Sequence, residues 1–270
     1  MKPHIARMSQ LYWLGMEPIP GVAAAIAASG GRCPTCPESL DRASYSDQII
    51  TNHLVSCSTG GGTQRVTAAV TRAVGRCLAE VSVSWQMETP GLSQTSAHRP
   101  GDIVSGPLLE LDAGGTTRLV VDMTLSYLTP SNFDAAAFGT DPAGEVKKAE
   151  QKKRAEMQRD LRAGSRAPLP AGYDFVPAAV DPRGQSGPGM VALLERIARH
   201  GAAHSHGLSS DDGADGAYAK LLARCRTRLA IALQRALMEE YLYRAQRVAT
   251  AAAERSGTVL VTNLELRFQR

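Results

Sequence analysis

The sequence predicts an α/β protein: an αβββαβ core, a small Cys/His module before it, and a C-terminal helical extension. Three observations lead there. Cys33, Cys36, His53 and Cys57 form a C-x2-C-x16-H-x3-C register. Between residues 63 and 200 the apolar pattern switches between helical and extended periods. From Tyr218 a helical pattern then runs to about Glu254. The predicted boundaries are a lead segment over 1–30, a CCHC zinc finger over 31–60, the α/β domain over 63–200, a flexible loop over 201–216, and a long helix with a terminal strand over 217–270.

The Cys/His quartet suits tetrahedral zinc. The Cys33-Pro34-Thr35-Cys36 knuckle offers two sulfurs, and His53 and Cys57, one helical turn apart, complete the set. Four protein ligands leave no open position, so the site is expected to be structural. Chemistry should therefore lie elsewhere in the chain.

With 270 residues, two folded units are expected. Lys and Arg number 30 against 26 Asp and Glu, a net charge of +4 with a pI of about 8.9, which fits nucleic-acid contact. The remaining thiols, Cys77 and Cys225, bring the cysteine count to 5, which argues against a disulfide framework and for a reducing compartment. No segment reaches the roughly 18 apolar residues of a membrane span, and no secretory signal is readable. A soluble intracellular protein, nuclear or cytoplasmic and not secreted, is expected.

In chain order, Ser58 to Thr63 with its glycine triplet reads as a hinge. Val66 to Leu78 is an amphipathic helix with Val66, Ala69, Val70, Ala73, Val74 and Cys77 inward and Arg65, Arg72 and Arg76 open to solvent or phosphate. Val81 to Met87 alternates as a first strand. Gly91 to Pro100 is a polar loop, Asp102 to Val104 begins a second strand, and Asp112 to Gly115 turns into a third, Arg118 to Leu125. That strand is the most apolar and so expected inside the sheet. Pro130 to Pro142 is a loop, and Gly144 to Leu161 a charged helix. Tyr173 to Val180 is a fourth strand, reached by a parallel return. A short helix from Met190 to His200, the Gly/Ser/Asp stretch Gly201 to Gly216, the long helix and a terminal strand over Thr258 to Phe268 complete the reading.

The candidate site rests on two aspartates. Asp122 lies inside an apolar strand, where a carboxylate is costly unless paired or metal-bound. Asp102 stands at the entrance to the preceding strand. Together they could share a divalent ion, and hard oxygen ligands with open water positions suit Mg²⁺ and phosphodiester cleavage. At about 100° per residue, Val146, Ala149, Lys153 and Met157 share the stripe that faces the sheet, which makes Lys153 the inward lysine, while Lys147, Lys148 and Lys152 point away. Glu88 is a further candidate ligand or base. The competing readings are a turn residue for Asp102, a structural carboxylate bound to backbone amides for Asp122, and a snorkelling lysine for Lys153. Glu110 and Asp112 read as a solvated hairpin tip, His98 as a loop histidine, and His200, His204 and His206 as part of a mobile loop.

This series, a CCHC finger, a helix, Arg99-Pro100-Gly101-Asp102-Ile103-Val104, Leu119-Val120-Val121-Asp122-Met123-Thr124 and a lysine-rich helix, resembles the C-terminal part of site-specific non-LTR retrotransposon proteins. There a reverse transcriptase is followed by a CCHC zinc knuckle and a restriction-enzyme-like endonuclease of the PD-(D/E)xK superfamily. The resemblance covers roughly Cys33 to Val180. It implies a restriction-endonuclease-like core in which Asp102 is the first motif aspartate, Asp122 the second acid and Lys153 a lysine moved from strand to helix. Gln64-Arg65-Val66 takes the place of a basic patch after the finger. Two departures stand out: Gly101 separates Pro100 from Asp102, and Thr124 occupies the motif's lysine position. The resemblance also implies a longer parent chain carrying a reverse transcriptase domain, or a truncated or domesticated copy.

The functional expectation is Mg²⁺-dependent nicking of target DNA, with structural zinc in the finger and with DNA or RNA as partner. A second reading is a decayed nuclease that binds nucleic acid without cleaving it. A third is an interaction protein using the stripe Leu222, Cys225, Leu229, Leu233 and Leu237.

Overall fold

The computed structural model describes residues 1–13, 18, 19, 21–28, 30–40, 46–57, 59, 61–87, 101–110, 114–126, 141, 143–204 and 213–256. Its secondary structure is α1 (Pro3–Trp13), α2 (Val22–Ala28), α3 (Asp47–Ser56), α4 (Gly62–Glu80), β1 (Trp85–Met87), β2 (Ile103–Glu110), β3 (Gly115–Leu125), α5 (Gly144–Arg162), β4 (Tyr173–Val180), α6 (Pro188–His204) and α7 (Gly213–Ser256). The chain divides into two compact units, one spanning Met1–Val66, Tyr127–Phe133 and Leu233–Arg270, the other Thr67–Ser126 and Asp134–Ala232. The expected terminal strand, the loops at Gly91 to Pro100 and around Pro130, and Glu88, His98, Asp112 and His206 lie outside the described residues.

In the first unit the helices bury apolar residues at three- and four-residue steps: Ile5, Met8 and Tyr12 on α1, Val22 and Ile26 on α2, Ile50 and Leu54 on α3, and Leu233, Leu237, Tyr241 and Val248 on the last part of α7. Ser9 Oγ donates to Gln234 Oε1 at 2.9 Å, a polar pair satisfied inside that core. The residues ahead of the finger, read as a lead segment, thus form two helices.

The second unit holds a four-stranded mixed sheet in the order β1-β2-β3-β4. β1 to β3 pair antiparallel, and β3 and β4 pair parallel with Asp122 opposite Pro177. Pro177 can sit mid-strand because β4 is an edge, where its missing N–H costs no ladder bond. Gly114, at φ +63°, makes the turn from β2 to β3. The β2/β3 register shifts between Val104 and Pro107, and Ser105 Oγ accepts the Leu119 N–H at 2.8 Å within the irregularity. α5 packs on β4 and β3, and α6 on β4 and β2. Leu222, Cys225 and Leu229 on the first part of α7 are buried, as are Leu233 and Leu237 on its last part, so the stripe considered as a partner surface is core.

Several boundaries differ from the sequence reading. β1 covers only the last three residues of the expected strand, because α4 ends in a tight turn: Val81 and Val83 N–H both reach the Leu78 carbonyl, at 3.1 and 2.9 Å, with Ser82 at φ +61°. Val81 and Val83 are buried all the same, so period-two burial here comes from a helix cap. α6 extends to His204 and α7 starts at Gly213, which makes both ends of the expected 201–216 loop helical.

Candidate functional site

The finger is built by a turn and a helix. α2 ends on Gly30 and Gly31, both with positive φ, and the Gly31 N–H reaches back to the Ile26 carbonyl at 2.8 Å. The chain then doubles on itself: Arg32 and Ser39 form an antiparallel bridge, and Cys33 N–H bonds the Glu38 carbonyl at 3.0 Å. Cys33 and Cys36 occupy this knuckle. His53 lies in α3, and Cys57 continues its last turn, with Cys57 N–H bonded to the His53 carbonyl at 2.8 Å.

The four ligand atoms lie within 4.8 Å of one another. Cys33 Sγ is 4.0 Å from Cys57 Sγ, and Cys36 Sγ is 3.4 Å from His53 Nε2. Tetrahedral zinc with bonds of about 2.3 Å to sulfur would set sulfurs about 3.8 Å apart. The set therefore fits a Cys3His metal site, compatible with structural zinc. Burial opposes ionisation of Cys33, but hydrogen bonds with His53 and Thr35 outweigh it and bring its thiol down to about 6. Cys36 goes the other way: burial and its neighbours Cys33 and Cys57 push it up to about 12 despite a backbone bond at Glu38. Crowded thiolates resist sharing one space, and a divalent cation removes that conflict.

A second layer supports the quartet. Thr35 Oγ1 is 3.3 Å from Cys33 Sγ and 3.4 Å from Cys57 Sγ. Arg244 is fully buried and donates to the carbonyls of Cys57 (2.6 Å) and Thr59 (3.3 Å), to Thr35 Oγ1 (3.3 Å) and to Glu240 Oε1 (2.6 Å). Glu240 Oε2 also accepts from Arg65 Nη2 at 2.7 Å. A Cβ at Gly62 would collide with Arg244 and Glu240. The glycine triplet read as a hinge thus includes the first residue of α4, held against this ion pair. Outer groups of this kind fix ligand orientation, and sequence reasoning missed both Arg244 and Glu240.

In the second unit Asp122 is paired with Lys153, and Asp102 is bonded to the backbone on either side of Asp122. Asp102 N–H bonds the Val121 carbonyl at 2.8 Å, and Asp102 Oδ2 accepts the Met123 N–H at 2.7 Å. Asp102 is thereby fixed to the backbone on both sides of Asp122, by its N–H on one and its carboxylate on the other. Gly101 explains how the chain comes so close: a Cβ there would stand 2.7 Å from the Val121 carbonyl oxygen and 2.9 Å from Val120 Cγ1. Lys153 Nζ lies 3.3 Å from Asp122 Oδ2, with the two side chains 34% and 19% exposed. Thr124, two residues along β3 and so on the same face as Asp122, has a buried hydroxyl with no hydrogen-bond partner among the described residues.

The inward stripe of α5 carries one residue not foreseen. Glu150 is buried and accepts three backbone N–H groups: Ala179 at 2.9 Å, Gly189 at 2.8 Å and Met190 at 3.2 Å. It caps the N-terminus of α6 and holds β4 to α5. Gly187 and Gly189 are needed there, because a Cβ at either would strike Glu150 or the Pro177 carbonyl. Lys147, Lys148 and Lys152 are exposed. Two of the histidines read as a loop lie on α6 instead, His200 and His204: His200 is buried, accepts the Leu109 N–H on Nδ1 at 2.9 Å and stacks on His204 with ring centres 4.2 Å apart. Arg72 and Arg76 are exposed on α4.

No helix among the described residues is long and apolar enough to cross a membrane. No protein-family model matches the chain, and no curated protein or solved structure matches it significantly.

Proposed function

We propose that the chain is a metal-dependent endodeoxyribonuclease of the retrotransposon type, which nicks target DNA and holds nucleic acid with a zinc-stabilised module. The arrangement of Asp102, Asp122 and Lys153 carries this reading. Asp122 of β3 is paired with Lys153 of α5, and the Asp102 carboxylate is bonded to the backbone N–H of the next residue, Met123. The order α4-β1-β2-β3-α5-β4, with β3 and β4 parallel, supports the αβββαβ core of restriction-enzyme-like nucleases. Asp102 and Asp122 are the residues that would hold Mg²⁺, which when bound supplies Lewis-acid stabilisation and a more acidic water. Lys153 offsets the Asp122 charge and presents an ammonium where negative charge grows on the phosphate oxygens.

A second reading keeps the binding and loses the cleavage. Asp102 is already bonded to Met123 N–H and Asp122 to Lys153, so both carboxylates are satisfied as a structural pair would be. Supercoiled plasmid separates the two. The nuclease reading expects Mg²⁺-dependent nicking, abolished by EDTA and by Asp122→Ala. Intact plasmid under every condition, with equal salt-dependent DNA binding by both proteins, selects the second.

A further inference from the structure

A groove of about 360 Å³ lies beside the knuckle, lined by Pro34, Tyr243, Gln246, Arg247, Thr250 and Glu254. Apart from Pro34, these residues belong to one stripe of α7, at steps of three, four and seven. The stripe is unusual in what it exposes. Tyr243 keeps 46% of its surface in water, one of three large apolar or aromatic side chains exposed to this degree among the described residues. Two guanidiniums stand over its ring, Arg65 at 5.3 Å and Arg247 at 6.0 Å from the centroid. Arg65 is also committed to Glu240. Arg247 is exposed and, among the described residues, has no ion-pair partner within salt-bridge distance.

We propose that this groove receives an unpaired nucleobase of a single-stranded nucleic acid, stacked on Tyr243 with a flanking phosphate on Arg247. An exposed aromatic ring with arginines around it is the surface on which single strands bind, because every base offers a π-face and every linkage a charge. The volume lies near the lower end for small-molecule sites, suited to one flat ring. A duplex cannot use it, since its bases are stacked away inside. Gln246 and Thr250 offer polar groups to the edge of the base, and Glu254 at the rim can accept from an exocyclic amine but repels phosphate, which places the backbone at the Arg247 side. Pro34 makes the knuckle one wall, so metal binding and strand binding share a surface.

This rests on the nucleic-acid half of the function proposed above. The test is fluorescence anisotropy of the zinc-loaded full chain with labelled oligothymidylate, oligouridylate and a mixed DNA duplex. Tyr243→Ala is expected to weaken single-strand binding between about fivefold and 150-fold, and Tyr243→Phe by less than about twofold, with duplex binding unchanged in both. Arg247→Gln should lower the salt slope of single-strand binding by about one unit, and it provides a second variant should the first lose its fold. A loss on only one of the two single strands assigns the groove to that kind of strand. Wild-type affinity of Tyr243→Ala for both, or an equal loss on the duplex, overturns the proposal. The two readings fail separately: Asp122-dependent nicking with Tyr243-independent binding removes the groove alone, and Tyr243-dependent binding without nicking removes the nuclease alone.

Discussion

Lys153 Nζ and Asp122 Oδ2 stand 3.3 Å apart, the one reaching from helix α5 and the other from strand β3. The pair is partly solvated, so its net contribution to stability is modest, within about 1 kcal/mol. Its position matters more than its strength. Lys153 brings a cation from helix α5 to the Asp122 carboxylate on the sheet.

Replacing Lys153 by Met keeps the aliphatic stem and removes the charge. Plasmid nicking should fall by about 10² to 10³-fold, while the urea midpoint of unfolding moves little. Lys153→Arg should retain part of the activity, since charge survives and only geometry changes. Full nicking by the Met variant would exclude Lys153 from the site.

Asp122 and Lys153 were legible because each breaks an apolar pattern whose period is otherwise clear. Glu150 was legible by the same angle: from Val146, residues 150, 153 and 157 all return to within about 40° of one line, whereas Ala149 drifts further. It was overlooked because an alanine fits a buried stripe without explanation and a glutamate does not. Arg244 could not have been found this way. Its partners Cys57 and Thr35 lie 187 and 209 positions away, and nothing local distinguishes it from the exposed arginines of the same helix. The role of Gly101 needed the fold as well, because only the packed strand shows that a side chain there would strike the Val121 carbonyl beside which Asp102 bonds Met123.

Glu150 makes the strongest stability prediction. Glu150→Ala orphans three buried N–H groups and empties the volume of the side chain, so a loss of about 3 to 5 kcal/mol is expected. Glu150→Gln can still satisfy Ala179 and Met190 through Oε1, but its amide would face the Gly189 N–H, donor against donor. Its cost should be smaller, about 1.5 to 3 kcal/mol. Chemical denaturation measures both, and equal midpoints for wild type and the Ala variant would remove Glu150 as a cap.

Stripping the metal should unfold the finger and little of the sheet. Chelation of the purified chain is expected to release about one zinc per chain, with loss of helical signal from the first unit. Arg244→Met should mimic part of this: the Cys57 and Thr59 carbonyls lose their donor, and Glu240 keeps only Arg65. Metal affinity should drop about 10- to 100-fold. Competition with a chromogenic chelator reads the difference directly. Unchanged affinity would show that the arginine serves packing and not the ligands.

His200 should give the second unit an acid-sensitive stability. Burial first, and the neighbouring His204 second, hold its pKa below the ordinary 6.5. The neutral ring has work to do, since Nδ1 accepts the Leu109 N–H, and a protonated ring cannot accept there. The folded state therefore binds fewer protons than the unfolded one once the pH falls below 6.5, and the stability present above that value is lost as the solution is acidified. The slope attributable to one site is at most about 1.4 kcal/mol per pH unit. His200→Asn keeps an acceptor for Leu109 and does not titrate. Its unfolding free energy should vary less than that of wild type between pH 6.5 and 5, with the two closest near neutrality. Parallel pH profiles would mean that the imidazole is not the group responsible.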